Sequence, residues 1–366
     1  MQGLLRPEIG RPDMNLRTFF TCLVTLLLPL WSLHSPASDA ATSELVILNW
    51  ADYIDPDVIA DFEAKHHAKV RVINFEDDDN RDQLLLATNG TGYDIVLVNE
   101  THVGLYRTHG WLAKVSELEV PNLKYVDSAW MDKAADAQGY AVPYFWGTLG
   151  IAYRRDLVHK APQHWSDLLA PAAELHGRIA MLSSQRELLG VALKAAGHSV
   201  NSTVHSEIDG AMALMLAQKP FVRAYQQALL NEKSELVSGE VSMRMMYNGD
   251  ALLLRKINDN IVYVVPPEGT ALWVDYLTVM ADAPNPKLAY AFLDFLNEPA
   301  IAAKNAAFVN YATPNQAAAK LMPAEYRDNA SIYPPAKTLA NSELFVPLPP
   351  RALSYRNSQF THLLQN

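Results

Sequence analysis

Short apolar runs rich in valine and isoleucine alternate with amphipathic segments from Glu44 onward. The first apolar runs are "ELVILNW", "KVRVINFE" and "YDIVLVN", and the segments between them are "DPDVIADFEAKH" and "NRDQLLLATNG". β-Branched runs bounded by turn residues are typical of strands in a parallel sheet, and the intervening segments have helical spacing. The pattern predicts an α/β domain.

The same alternation starts again in the middle of the chain and predicts a second α/β lobe. Its strands are "GRIAMLSS", "EVSMRMMYNGD" and "NIVYVVPPEG", with the helix "RELLGVALKAAG" after the first. Two extended segments, "YAVPYFWGTLGIAYRRD" and "ALWVDYLTVMADAP", have no helical period, and we expect each to cross between the lobes. We assign residues 44–145 and 276–318 to lobe 1, and residues 146–275 and 319–366 to lobe 2. Two crossings make a hinged cleft, and open α/β sheets bind ligands at the carboxyl ends of their strands.

The first forty residues follow a different pattern. After Arg17, the apolar run "TFFTCLVTLLLPLW" is followed by the small and polar "SLHSPASDAATS", which is typical of an export signal. Residues 1–40 are predicted to be a signal peptide that starts at Met1 or Met14 and is cleaved after Ala37 or Ala40. The alternative is an uncleaved anchor, for which the run is short. We expect the mature protein to lie in the periplasm.

Composition restricts the possible functions. A chain with 49% hydrophobic and 19% charged residues is typical of a soluble globular protein. The only cysteine, Cys22, lies inside the predicted signal, so we expect no disulfide in the mature chain. A net charge of -10 disfavours nucleic acid and is compatible with a cationic ligand. The sequence has no GxSxG, GxxxxGK[ST], HExxH or CxxC motif, and we predict no catalytic residue, no metal and no cofactor.

Aromatic residues next to polar or acidic ones recur where predicted strands end. The groups are Trp50, Asp52 and Tyr53 after the first strand, Tyr247, Asn248 and Asp250 after "VSMRMM", Trp273 and Asp275 in the second crossing segment, and Tyr311 in "VNYATPN". An aromatic face attracts a cation by about 0.5 to 2 kcal/mol, and a carboxylate adds charge-assisted hydrogen bonds. Each residue alone is also compatible with core packing or helix capping. Trp50, for example, is compatible with a place in the core, and Asp52 or Asp55 with the cap of a helix. Their recurrence at one structural place predicts a cation site.

Two other polar groups have structural interpretations. The acidic run "EDDD" at 76–79 is interpreted as a solvated loop after a strand, and "NGTG" at 89–92 as a tight loop after a helix. His66 and His67 have no suitably spaced third ligand for a metal.

Seven segments together resemble one known family. They are "LNWADYIDPDVIADFE", "YDIVLVN", "AVPYFWGTLGIAYRRD", "HWSDLLAP", "MMYNGDA", "PPEGTALWVDYLTV" and "NYATPNQAAAKLM". In this order, from about residue 44 to residue 333, they resemble the periplasmic spermidine/putrescine-binding proteins, a polyamine branch of the solute-binding superfamily. The resemblance implies a two-lobed α/β fold with hinge crossings and a cleft that closes on a linear di- or triamine such as putrescine, spermidine or norspermidine.

The resemblance also implies which residues contact the ligand. It implies that Asp275 holds an amine and that Asp52 lies near one end of the ligand. It also implies an aromatic box formed by Trp50, Tyr53, Trp273 and Tyr311. The implied set is Trp50, Asp52, Tyr53, Asn99, Ser184, Glu187, Tyr247, Trp273, Asp275 and Tyr311. The family commonly has two acids three residues apart where this chain has Ser184 and Glu187, so one carboxylate is missing. Serine and glutamate at this spacing also form a helix capping box, so Glu187 either contacts ligand or caps a helix.

Four further positions differ from the usual family residues. Tyr247 replaces a tryptophan, Asn99 a serine and Thr101 an aromatic residue, while Phe345 is near a usual glutamine. We expect a cationic ligand of the same kind with a different preferred length or amine spacing.

The resemblance implies a membrane partner and a monomeric binding protein. In family terms, the closed form presents its ligand to an inner-membrane ABC permease, or docks on a membrane signalling protein that controls cyclic-di-GMP, as a norspermidine sensor does. Two other hypotheses remain open at this stage. One is a periplasmic enzyme using Glu187 or Asp275 as a base, and the other is a binder of a different solute.

Overall fold

The computed structural model describes residues 43–131 and 133–365. The predicted signal peptide and its cleavage sites lie outside the described residues. Over the ranges that the structure describes, the helices are all too short or too polar to cross a membrane.

The described chain contains ten strands and fifteen α-helices, numbered separately in chain order. The strands are β1 (Ser43–Asn49), β2 (Ala68–Asn74), β3 (Ile95–Asn99), β4 (Ala141–Arg154), β5 (Ile179–Met181), β6 (Val222–Tyr225), β7 (Met243–Tyr247), β8 (Ile261–Val264), β9 (Ala271–Val279) and β10 (Glu343–Leu344). The helices are α1 (Pro56–His66), α2 (Asp78–Thr88), α3 (Val103–Thr108), α4 (Ser128–Met131), α5 (Trp165–Leu169), α6 (Gln185–Ala195), α7 (His205–Gln218), α8 (Glu235–Ser238), α9 (Asn248–Ile257), α10 (Pro286–Leu296), α11 (Pro299–Val309), α12 (Gln316–Leu321), α13 (Ala324–Arg327), α14 (Ala336–Ala340) and α15 (Pro350–Gln365).

The strands form one mixed sheet in the order β2-β1-β3-β9-β4-β7-β5-β6, with β10 beside β9 and β8 beside β4. At one end β1 is parallel to β2 and β3, and at the other end β5 is parallel to β6 and β7. In the middle β9 is antiparallel to β3 and β4, and β4 is antiparallel to β7 and β8. The predicted parallel arrangement therefore holds at both ends, whereas the two predicted crossing segments are antiparallel because they run between the lobes in opposite directions.

Strand β4 shows how one segment serves both lobes. All fourteen of its residues are buried. Its first half, through Trp146, belongs to the apolar core around β1, β3 and α10, and its second half, from Leu149, belongs to the core around β5, α6 and α7. The architecture confirms the predicted two-lobed α/β fold, and the assigned lobe boundaries remain a prediction.

Helix α1 begins and ends as its sequence indicates. The Asp55 side chain accepts a hydrogen bond from the Asp57 N–H, and Pro56 occupies the first turn, where no donor is lost. Asp55 is therefore the helix cap, while Asp52 is exposed at a φ of 54°. The "NGTG" loop also follows a helix as predicted, since Asn89 ends α2 in a left-handed conformation.

Prolines mark the starts of helices in the C-terminal part of the chain. The apolar segment 286–308 forms two helices, α10 and α11, on either side of Asn297 and Glu298. Pro299 begins the second helix because proline fits a first turn and interrupts a helix interior. The proline-rich segment near the C-terminus leads into α15, which starts at Pro350. The buried Arg356 of α15 donates to the carbonyl oxygens of Val200 and Ser202.

Asp94 should be important for stability because it joins two elements through buried backbone groups. Its carboxylate accepts from the Val46 N–H at 2.8 Å and from the Asn285 N–H at 2.5 Å. Asp94→Ala leaves both donors unpaired, and we expect the free energy of unfolding to fall by about 3 kcal/mol. Urea denaturation measures this, with the exposed Asp282→Ala as a control that should change little. Equal stabilities of the two variants would contradict the prediction.

Candidate functional site

Four of the predicted aromatic side chains meet at one place. Tyr53 contacts Tyr311 with ring centroids 5.9 Å apart, Tyr311 contacts Trp273 at 4.8 Å, and Trp273 contacts Tyr247 at 6.1 Å. All three contacts are edge-to-face, the geometry that aromatic quadrupoles favour. These four residues, here called the aromatic cluster, come from four separate segments of the chain. The ends of β7 and α11, the loop after β1 and the strand β9 therefore converge on one site.

Asp275 lies beside this cluster with its side chain almost fully buried. The Tyr53 hydroxyl donates to its Oδ2 at 2.9 Å. Burial raises the pKa of Asp275 to about 7, a shift that the Tyr53 hydrogen bond reduces and the nearby Glu100 increases. An ionised Asp275 is therefore costly without a cationic partner, and a cation placed beside it would recover that cost.

Asp250 and Tyr311 form a second carboxyl and phenol pair at the cluster. The Tyr311 hydroxyl donates to Asp250 Oδ1 at 2.8 Å. Loss of solvent raises the pKa of Asp250 to about 6, although the hydrogen bond from Tyr311 lowers it. Asp250 follows Tyr247 at the start of α9, and its place at a strand end was the available signal in the sequence. The implied family set nevertheless omitted it.

Hydrogen bonds fix the loop that carries Tyr53. Asp55 N–H donates to Asn305 Oδ1 at 2.9 Å, Asn305 Nδ2 donates to the Tyr144 hydroxyl at 2.7 Å, and Tyr144 donates to the Tyr53 carbonyl at 2.7 Å. This chain of bonds joins α11 and β4 to the loop after β1. It holds the Tyr53 ring in place without using its hydroxyl, which stays directed at Asp275.

Two glycines allow the aromatic cluster to pack closely. A Cβ at Gly147 would lie 2.4 Å from Trp273 Cζ2, and a Cβ at Gly249 would lie 2.4 Å from Tyr311 Cε1. Real Cβ atoms essentially never come this close, so larger residues would displace the rings. The sites of Trp273 and Tyr311 therefore depend on glycine in β4 and α9.

Trp50 and Asp52 lie differently from the four clustered rings. Trp50 is half-buried and packs on Phe75 with ring centroids 4.2 Å apart. Asp52 is exposed in the turn before α1. The ligand roles of both residues remain predictions, and the structure assigns Trp50 a packing partner that its sequence position did not indicate.

Glu187 contacts an arginine and does not cap α6. Its Oε1 accepts from Arg186 Nη2 at 2.7 Å and Nε at 3.1 Å, and its side chain is buried. Ser184 is the residue before α6, but its side chain makes no capping hydrogen bond. The capping-box interpretation of Ser184 and Glu187 is therefore wrong. Arg186, absent from the predicted set, neutralises the carboxylate.

Asn99 joins a polar network at the end of β3. Its Nδ2 donates to Asp78 Oδ2 at 2.6 Å, and its Oδ1 accepts from the Thr101 hydroxyl at 2.8 Å. Arg186 Nη1 in turn donates to Thr101 Oγ1 at 3.0 Å. Burial opposes ionisation of Asp78, yet Arg81 and Arg186 together hold its pKa below the usual value. The solvated-loop interpretation of the acidic run is thus wrong for Asp78, which connects α2 to this network.

No group of three or more histidine, cysteine or acidic residues suited to a metal ion occurs within 43–131 and 133–365. The aromatic cluster presents rings, phenols and carboxyls. Such a set can bind a cation.

The model of the family described as bacterial extracellular solute-binding protein matches residues 57–334. The chain belongs to this family. It is 31% identical to a norspermidine sensor of Vibrio cholerae over 92% of this chain and 93% of the relative. It is 29% identical to the spermidine/putrescine-binding periplasmic protein of Escherichia coli over 86% of this chain and 92% of the relative.

A solved structure shares the fold. The substrate-binding protein of a spermidine/putrescine ABC transporter from Streptococcus pneumoniae superposes with a TM-score of 0.80 at 27% identity, covering 88% of this chain and 99% of that chain. The family resemblance and the two-lobed fold predicted from the sequence are confirmed. The family consists of solute-binding proteins.

The raised pKa of Asp275 predicts a pH dependence of stability. The pKa of Asp275 is higher in the folded protein, about 7, than its ordinary value of 3.8, so the folded state binds more protons between these values. The stability of the ligand-free protein should therefore decrease as the pH rises from about 4 to about 7. Asp275→Asn should remove part of this decrease and unfold at a higher temperature than wild type at pH values above about 7.

Thermal denaturation across this pH range, monitored by circular dichroism, measures both effects. Asp282→Asn, an exposed change, should follow the wild-type profile. If Asp275→Asn also followed the wild-type profile, Asp275 would not be the costly buried acid described here.

Proposed function

We propose that this protein binds a linear di- or triamine of the putrescine, spermidine or norspermidine class between its lobes and presents it to an ABC-type permease. The observation that carries the proposal is the aromatic cluster with two acid and phenol pairs, one of which contains the buried Asp275. Tyr53 pairs with Asp275 and Tyr311 pairs with Asp250, at 2.9 Å and 2.8 Å. The names of the Escherichia coli and Streptococcus pneumoniae relatives support the same ligand class.

The two acid and phenol pairs suit a ligand with two positive ends. Each carboxyl can become charged when an ammonium lies beside it, and each phenol oxygen can accept from that ammonium while donating to the carboxyl. The rings of Tyr53 and Tyr311 contact each other edge-to-face with centroids 5.9 Å apart, and they offer apolar and π surface to a short alkyl chain. An anionic ligand would meet the same carboxyls with unfavourable charge.

Ligand binding should favour the closed arrangement of the lobes. By the lobe boundaries assigned from the sequence, Tyr53 and Tyr311 belong to lobe 1, while Tyr247, Trp273 and Asp275 belong to lobe 2. A ligand held by both sets contacts both lobes only when they are closed, so binding shifts the population toward that form.

The protein binds its ligand without changing it chemically, because the site supplies charge and apolar surface and no activated nucleophile.

The remaining parts of the proposal concern place and partners. The protein is exported by its N-terminal signal to the periplasm and acts there as a monomer on an inner-membrane partner. One observation favours a second function, signalling instead of transport: the 31% identity to the norspermidine sensor of Vibrio cholerae. In that case the closed form docks on a membrane signalling protein that controls cyclic-di-GMP.

Isothermal titration of the purified protein with putrescine, spermidine and norspermidine tests the ligand class. We expect at least one of them to bind, and Asp275→Asn to weaken that binding by at least about tenfold, because it removes the charge that faces a desolvated ammonium. Asp282→Asn should bind as wild type does. The absence of heat and of a thermal shift with all three amines would refute the polyamine assignment.

Trp273→Ala separates a binding role of the indole from a core role. Trp273 is half-buried and touches Tyr247 and Tyr311 edge-on, so we expect weaker amine binding with little loss of thermal stability. Trp273→Phe retains an aromatic face and should bind more tightly than Trp273→Ala. A large drop in the melting temperature of Trp273→Ala, with unchanged affinity, would instead assign Trp273 to the core.

A further inference from the structure

Glu100 is a buried acid that the implied family set does not include. It directly follows Asn99, the residue of β3 that pairs with Asp275 in β9. Its N–H donates to the Val274 carbonyl at 3.2 Å, and its Oε2 accepts from the Val274 N–H at 3.1 Å. Only 3% of Glu100 is exposed, and its Oε1 has no hydrogen-bond partner among the residues that the structure describes. A carboxyl with one free oxygen therefore lies one residue along the sheet from Asp275.

The structural role of Glu100 does not require a charge. A glutamine oxygen would accept the same hydrogen bond from Val274 and would not need to be ionised. Burial instead raises the pKa of Glu100 to about 7, an effect that Arg186 reduces and Asp78 increases. Burying an acid whose second oxygen is unpaired is unfavourable. A purely structural explanation therefore leaves the choice of glutamate unexplained.

The charged groups around Glu100 leave two acids without a cationic partner. Arg81 pairs with Asp78 at 2.7 Å, and Arg186 pairs with Glu187 at 2.7 Å. Glu100 and Asp275, by contrast, form no ion pair with a described lysine, arginine or histidine within 4.0 Å. Glu100 raises the pKa of Asp275 after the effect of burial, so their charges are close enough to interact. Two adjacent acids of this kind form a local excess of negative charge.

The start of α6 does not provide an equivalent acid. Ser184 brings a hydroxyl there, and Arg186 neutralises Glu187. Glu187 Oε2 has no hydrogen-bond partner among the described residues, but the other oxygen of the same carboxylate holds the guanidinium. Of these two places, only the one beside β3 and β9 therefore carries uncompensated negative charge.

We propose that Glu100 is a ligand-binding residue and forms, with Asp275, a subsite for one primary ammonium group of the ligand. This inference rests on the proposed function and adds a residue to its site. An ammonium group has three N–H donors, and the free oxygen of Glu100, an oxygen of Asp275 and the Tyr53 hydroxyl are acceptors of the kind it requires. Binding ionises both carboxyls, and the protons they carried are released to solvent.

Titration calorimetry of the full mature protein with putrescine near neutral pH tests the subsite. Measurements in phosphate and in Tris, which differ in ionisation enthalpy, give both the affinity and the number of protons released. We expect Glu100→Gln to bind putrescine at least about tenfold more weakly than wild type and to release fewer protons on binding. The exposed Glu232→Gln should match wild type in both quantities.

A thermal measurement separates ligand binding from a structural role. The folded-state pKa of Glu100, about 7, exceeds its ordinary value of 4.5, so ionisation of Glu100 destabilises the ligand-free protein as the pH rises between these values. Glu100→Gln should therefore melt at a higher temperature than wild type above a pH of about 7. A lower melting temperature would assign Glu100 a structural role and overturn the inference.

The possible failures can be told apart. If wild type binds putrescine and Glu100→Gln binds it with the same affinity and proton release, the subsite is refuted while the proposed function stands. If wild type binds none of putrescine, spermidine and norspermidine, both are refuted.

Discussion

The site depends on one buried hydrogen bond, from the Tyr53 hydroxyl to Asp275 at 2.9 Å. It joins the loop after β1 to β9, two segments separated by 222 residues. A neutral donor stabilises a buried carboxylate far less than a cation would, so the pKa of Asp275 remains raised to about 7 after burial and the Tyr53 hydrogen bond have both acted. The carboxyl is thus held in position but is not satisfied. A cation-binding site requires this combination of a carboxyl fixed in position and the lack of a cationic partner for it within the protein.

The mixed sheet explains why the carboxyl is in this place. Because β9 runs antiparallel to both β3 and β4, Asp275 lies beside Asn99 at the end of β3 and beside Phe145 in β4. The carboxyl end of β3 therefore reaches the middle of β9, and the carboxyl end of β7, on the far side of β4, lies near β9 because Tyr247 contacts Trp273. Tyr247 at the end of β7 packs against both cores. A sheet that was parallel throughout would not bring these ends to the interior of a single strand.

Much of the fold and part of the site could be predicted from the sequence. Strands such as β3 were evident because they are apolar runs bounded by turn residues. Tyr53 and Tyr247 were evident as aromatics at strand ends, whereas Trp273 lies within β9 and Tyr311 follows the helix α11. The polar contacts at the site could not be predicted, because they join residues far apart in the sequence. Arg186 donates a hydrogen bond to Thr101, 85 positions away, and Asn99 donates one to Asp78, 21 positions away. The acidic run at 76–79 therefore resembled a solvated loop, and Glu187 resembled a cap. Local spacing does not show which cation faces an acid.

The balance of charges around the site separates structural acids from the others. Arg81 is fully buried with Asp78 and Asp82 within 3.1 Å, and Arg186 holds Glu187, so each of these carboxylates gains a cation on folding. Asp250 and Asp275 gain only phenol donors. An acid whose only partner is a phenol lowers the stability of the ligand-free protein near neutral pH, because its ionisation is unfavourable in the folded state. A cation that binds only the folded state restores that stability. The free energy that these acids cost the ligand-free fold is recovered when a cation binds, so the burial that lowers stability also strengthens binding.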